Sequence, residues 1–223
     1  RINMPKALLY AINGGKDEKT NAQVTPKFAP ITAEYLDYDE VMENFYEIQK
    51  WLAGVYVQAV NIIHHMHDKY AYESFQMALH DLDIKRYETF GIAGLAITVD
   101  SLTAIKNAKV KVIRNEDGMA IDFEIVGEFI PFGNSGGATD DLAIKVTKDF
   151  YNLIKKHDMH RRAIPTLSLL TITSNVVYGK MTGATPCGRK SYTPFSPGVN
   201  PMNGRDTNGA VASLTSVGGI PYT

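Results

Sequence analysis

Residues Asn61 to Glu73, NIIHHMHDKYAYE, hold three histidines and an aspartate within five positions, His64 to Asp68. Imidazole can bind a metal ion or move a proton near neutral pH, so the cluster has to be weighed as a site. At about 100° per residue, His64, His67 and Asp68 share one helical face while His65 points elsewhere. An unbroken helix therefore cannot turn all three histidines to one ion. His64 and Asp68, four apart, suit a mutual contact or two metal ligands. The dipeptides His67-Asp68, His80-Asp81 and His157-Asp158 also offer the dyad that some metal-dependent hydrolases complete with ligands from other helices. Against that, no H-E-x-x-H pattern occurs, and a two-residue motif is common by chance. The balance favours a polar helix face with a His64–Asp68 pair, and no metal is expected.

The other reactive residue types are sparse. Cys187 is the sole cysteine, in TGATPCGRK. Arg189 and Lys190 stand close by, but a thiolate nucleophile also needs a base, so the residue reads as incidental. With no partner cysteine there is no intramolecular disulfide, which favours a reducing compartment and a cytoplasmic location. The glycine pairs in GIAG, NSGG and SVGG lack a nucleotide-loop setting and read as packing and turn glycines. Lys+Arg 23 against Asp+Glu 24 gives no electrostatic grip on nucleic acid. No apolar run is long enough to span a membrane. The opening Arg1-Ile2-Asn3-Met4 reads as a cut made inside a longer chain.

These residues must be positioned by elements of an α/β chain. Val41, Phe45, Ile48, Leu52, Val55, Ala59, Ile62 and Met66 recur in steps of three and four, predicting a helix from about Tyr38 to Tyr70. Asp37 with Glu40 marks its start as a capping box. A short amphipathic stretch is expected over Tyr72 to His80, and a helix in the second half of GIAGLAITVDSLTAIKNA. KVKVIRNEDGMAIDFEI changes to a period of two. It predicts an antiparallel hairpin near 108–126 with Val110, Val112, Met119, Ile121, Phe123 and Ile125 on one face. Asp140 to Lys156 reads as a helix, and TLSLLTITSN as a buried strand leading to a helical turn near Asn175. From Gly183 onward the recurring Gly and Pro predict irregular loops.

TITSNVVYGKMTGATPCGRK, followed by PFSPGVNPMNGRDTNGAVASLTSV, resembles the pyruvate formate-lyases, a family of glycyl radical enzymes. LLYAINGGKDEK, NIIHHMHDKYAYE, MALHD, GIAGLAITVDSLTAIK and IRNEDGMAIDFEI match the same family in the same order. The resemblance covers essentially the whole chain. It implies a ten-stranded α/β barrel of two five-stranded parallel halves, with residues 1–223 as the central, incomplete portion of one such domain. It implies cleavage of pyruvate with coenzyme A to acetyl-CoA and formate by a glycyl and thiyl radical route. A radical-SAM activating enzyme, a homodimer and an anaerobic, fermentative setting are implied too. The radical route has a chemical rationale. Heterolytic cleavage beside a carboxylate would leave charge on an acyl carbon without an electron sink, whereas a thiyl radical adding to the carbonyl avoids it in a dry chamber.

The chain also departs from the family pattern. Neither the adjacent cysteine pair nor the radical glycine motif R-V-S-G-Y-A-V-R-F is in the sequence, so the chain alone is expected to be inactive. Where Cys187 stands the family more often has aspartate. Two roles are implied by the alignment: Arg1 grips the pyruvate carboxylate, and His80, in MALHD, lies near the path of the coenzyme A thiol. Asn175, Thr182 and Arg189 are taken as structural support, and no cofactor is expected to be held by this chain. The alternatives are a 2-oxobutanoate formate-lyase or another glycyl radical lyase or dehydratase. Further off stand a non-catalytic piece that associates through exposed sheet edges and apolar surface, and an HD-type metal hydrolase.

Overall fold

The computed structural model describes residues 1–70, 85–169 and 174–222. Its centre is a three-stranded parallel sheet in the order β1 (Ile2–Asn3), β2 (Tyr87–Ala93), β5 (Ile164–Ser168). Ile2 stands opposite Ile92, and Gly91 opposite Ser168, so the three strands end at a common edge. Between them run α1 (Met4–Ile12), α2 (Tyr38–Lys69), α3 (Leu95–Asn107), the hairpin β3 (Lys109–Arg114) and β4 (Ala120–Val126), and α4 (Ala138–Ile154). A 3₁₀ turn (His160–Arg162) leads into β5; α5 (Ser174–Met181) and α6 (Ala210–Gly218) follow.

Helices α1 to α4 pack against one another, and α2 lies on the face of β2 that carries Glu88 and Phe90. In α1, Met4, Leu8, Leu9 and Ile12 are fully buried, and Asn3 caps it by accepting the Lys6 N–H at 3.1 Å. No helix is expected from the sequence before Tyr38. The helix spans nine residues and only Lys6 and Tyr10, four apart, break its buried run, so the repeat is too short to stand out in the sequence. Helix α3 is likewise buried from Leu95 to Ile105. It starts at Gly94, whose φ of +79° suits glycine, and whose missing Cβ leaves room for Pro5 and Phe195.

Helix α2 spans the predicted range, and Asp37 Oδ1 accepts the amides of Asp39 and Glu40 at 3.0 Å each. The apolar stripe is buried only in its first half. Val41, Phe45 and Ile48 are at most 2% exposed, whereas Val55, Ile62 and Met66 are 43%, 63% and 39% exposed. The buried line passes instead to Ala53 and Val57.

The hairpin forms where expected, but its inner face is altered. Ile113 pairs with Asp122 and Arg114 with Ala120, leaving Ile121 without a partner. This bulge reverses the alternation, so Ala120 is buried and Ile121 is 42% exposed. Helix α4 begins two residues before the predicted start, because Asp140 sits inside its first turn and accepts the Gly136 N–H at 2.8 Å. The strand expected over Thr166–Asn175 is Ile164–Ser168 and only partly buried; Leu170–Thr173 lie outside the described residues. Within the region expected to be irregular, α6 forms a helix, tied down by Ser216, which donates to Asp140 at 2.9 Å.

Candidate functional site

The histidine-rich end of α2 is occupied by ion pairs and hydrogen bonds rather than by the expected His64–Asp68 contact. His64 Nε2 lies 3.6 Å from the buried Glu88 of β2. Asp68 turns to the 3₁₀ turn, 2.6 Å from His160 Nε2 and 2.5 Å from Arg161 Nε. The His160 hydrogen bond, then the charge of Arg161, hold the Asp68 carboxyl below its ordinary range despite its burial. Asn61 clamps the same turn, donating to Asp158 O and accepting the His160 N–H. Arg161 holds a left-handed φ of +51°, which aims it back at Asp68. Among the described residues no three His, Cys, Asp or Glu side chains are placed to hold a metal ion. Asp68 thus docks the turn before β5.

The second end of the sheet differs. The face of β2 and β5 away from the helices carries Tyr87, Thr89 and Gly91 beside Ile164, Thr166 and Ser168. Tyr87 and Ile164 are 61% and 47% exposed, and the hydroxyls of Thr89 and Thr166 meet at 3.0 Å. Arg1, one residue before β1, is exposed on this face and lays its side-chain stem over Gly91. Among the described residues its guanidinium forms no hydrogen bond or ion pair. Ser168, opposite Gly91, lines a hollow of about 410 Å³ between the end of β5 and Pro197–Asn200. The carboxyl ends of parallel strands are a usual place for a small ligand. His80 lies outside the described residues.

Of the segment from Ser174 to Arg205, Pro197–Asn200 line that hollow. Arg189, 3% exposed, donates to the carbonyls of Gly179, Gly183 and Thr193 at 2.9, 2.8 and 2.7 Å. Burial pulls its guanidinium down to about 10. Asn175 donates to Phe195 O, and Thr182 accepts from Asn3 and donates to Tyr178 O. Cys187 is buried, its sulfur 3.3 Å from Thr185 Oγ1. Its carbonyl accepts from Arg205, which also donates to Asp100 at 2.8 Å. Burial pushes the fully enclosed Asp100 carboxyl up to about 6. Arg205 is held above its ordinary value, because Cys187 and Asp100 outweigh the burial that works against its charge. The two directions pull oppositely on one pair. The ionised pair is the form the geometry requires, since Asp100 accepts both Arg205 and the Phe132 N–H at 2.8 Å.

An α/β unit with a parallel sheet fits the family comparison. A model for the pyruvate formate lyase-like proteins matches residues 1–179, and the chain belongs to that family. It is 59% identical over 222 residues to formate acetyltransferase 1 of Escherichia coli (strain K12), a match covering 100% of this chain and 29% of that protein. The fold is shared with the B12-independent glycerol dehydratase of Clostridium butyricum (TM-score 0.80, 23% identity, 98% of this chain and 30% of that one). A glycyl radical enzyme from Archaeoglobus fulgidus is also similar (TM-score 0.74, 21% identity, 99% and 32%). No described helix is long and apolar enough to cross a membrane.

Gly91 is one of the GIAG glycines that the sequence marks for close packing, and here it is the Arg1 stem that approaches it; Tyr56 was not singled out. The available signal was a glycine inside a strand pattern, which marks either a bulge or a close approach by another group.

Proposed function

We propose that these residues form the central part of an enzyme that cleaves pyruvate with coenzyme A to acetyl-CoA and formate. In this reading residues 1–223 are an incomplete domain, the three parallel strands are part of a ten-stranded barrel, and the threonine-lined face looks into it. The single observation that carries the reading is Arg1, whose stem lies over Gly91 on that face and whose guanidinium makes no hydrogen bond or ion pair among the described residues. Two parallel N–H donors match a carboxylate, and their attraction strengthens when a closed chamber excludes water. His80 is assigned to the path of the coenzyme A thiol, where imidazole suits proton acceptance near neutral pH.

The radical itself does not fit the residues present. The sequence has one cysteine, and that one is buried against Thr185. The glycyl and thiyl groups, the homodimer, the activating enzyme and a cytoplasmic, anaerobic, fermentative setting therefore belong to the reading of the whole enzyme. This chain supplies the wall and the carboxylate grip. The purified 223 residues, after anaerobic activation, are expected to show no exchange of labelled formate into pyruvate. Exchange by the chain alone would overturn that assignment.

A further inference from the structure

Gly91 has no conformational need to be glycine: it lies in a strand and is absent from the residues with positive φ. A Cβ built on it would fall 2.3 Å from Arg1 Cγ and 3.2 Å from both Arg1 Cβ and Cδ. Those are its three nearest atoms, so the Arg1 stem is what a methyl there would meet first. The collision is at the root of the side chain, where no rotation of the guanidinium relieves it. The Gly91 N–H donates to Tyr56 Oη at 2.9 Å, and the Tyr56 ring meets Phe90 edge-on at 5.0 Å. Helix α2 thus fixes the peptide over which Arg1 lies.

We propose that Gly91 is a positioning residue that, with Tyr56 fixing its peptide, sets where the Arg1 guanidinium stands and so sets affinity for a carboxylate substrate. The inference rests on the reading of Arg1 given above. It adds that the groove, and not the arginine alone, specifies the site. Strand β2 provides the one position without a side chain where the arginine stem must cross.

The test is pyruvate binding by calorimetry to the unactivated full-length enzyme carrying this segment, with Arg1→Ala, Gly91→Ala and the double variant. Arg1→Ala is expected to weaken pyruvate roughly 10–100-fold, the range for losing charge-assisted hydrogen bonds. Gly91→Ala should weaken it about 10-fold or more with the unfolding midpoint kept, and in the activated enzyme should raise KM while sparing kcat. The double variant should bind no worse than Arg1→Ala and fold as well, since the methyl then meets no stem. An unchanged affinity in Arg1→Ala overturns the reading of Arg1 itself. A loss in Arg1→Ala with none in Gly91→Ala, losses that multiply in the double variant, or a double variant that fails to fold, overturns the role of Gly91 alone.

Discussion

The two halves of α2 carry one continuous apolar stripe and treat it in opposite ways. Val41, Phe45 and Ile48 lie within about 60° of one another around the helix, and all three are core. Ala53, Val57 and His64 lie roughly 120–160° further round from Val41. From Ala53 onward that other side is the one that packs. The stripe continues outward as Val55, Ile62 and Met66, while the inner line ends in His64 and Asp68, held by Glu88, His160 and Arg161. Periodicity therefore reveals that a face is apolar, but what lies against it is decided elsewhere in the chain. The same helix is a hydrophobic anchor at one end and an electrostatic dock at the other.

Truncating the stripe at each end is the strongest way to break this comparison. Phe45→Ala removes a fully buried ring and should cost about 3–5 kcal/mol. Ile62→Ala, seven positions from Val55 on the same stripe, should stay within about 0.5 kcal/mol, because its side chain is already in solvent. Urea unfolding of the chain measures both. Comparable losses at the two sites would mean that the outward stripe is covered in solution.

The electrostatic end gives a smaller, pH-dependent effect. Asp68→Asn should cost about 1–2 kcal/mol near neutral pH, at the lower end for charged hydrogen bonds because Arg161 is 41% exposed and screened by water. The folded-state Asp68 titrates below its ordinary value, held down by His160, Arg161 and Arg86. As pH falls from the ordinary value toward the folded one, the unfolded chain takes up the proton first, so stability is lost. The difference between wild type and Asp68→Asn should shrink below about pH 4. A difference that persists at pH 3 would assign the effect to packing instead of charge.

Legibility follows the same division. The stripe, the Asp37 cap and the Asn115–Gly118 hairpin turn rest on local rules and are found where the sequence places them. The Ile121 bulge escapes detection because one skipped residue inverts a period of two without altering composition. The partner of Asp68 is 92 residues away, and a helical wheel can offer it only His64. The Arg1–Gly91 contact is tertiary as well: the residues are ninety positions apart, and only parallel pairing of β1 with β2 joins them. The family was legible through long motifs in order. The groove that shapes the site was not.

The start of α2 gives the smallest and most local contrast. Asp37 Oδ1 satisfies two amides that would otherwise be orphaned in the first turn, and its charge faces the positive end of the helix. Asp37→Ala should cost about 1 kcal/mol, and Asp37→Asn clearly less, since the amide oxygen still caps. At the other end, Tyr70 closes the helix through its backbone N–H to Met66 O. Substituting its side chain should therefore leave helix closure intact. If Asp37→Ala proved silent in urea unfolding, the N-terminal half would be held by Val41, Phe45 and Ile48 alone. The anchoring of α2 would then lie wholly in its buried stripe, and its cap would be a consequence of packing rather than a cause.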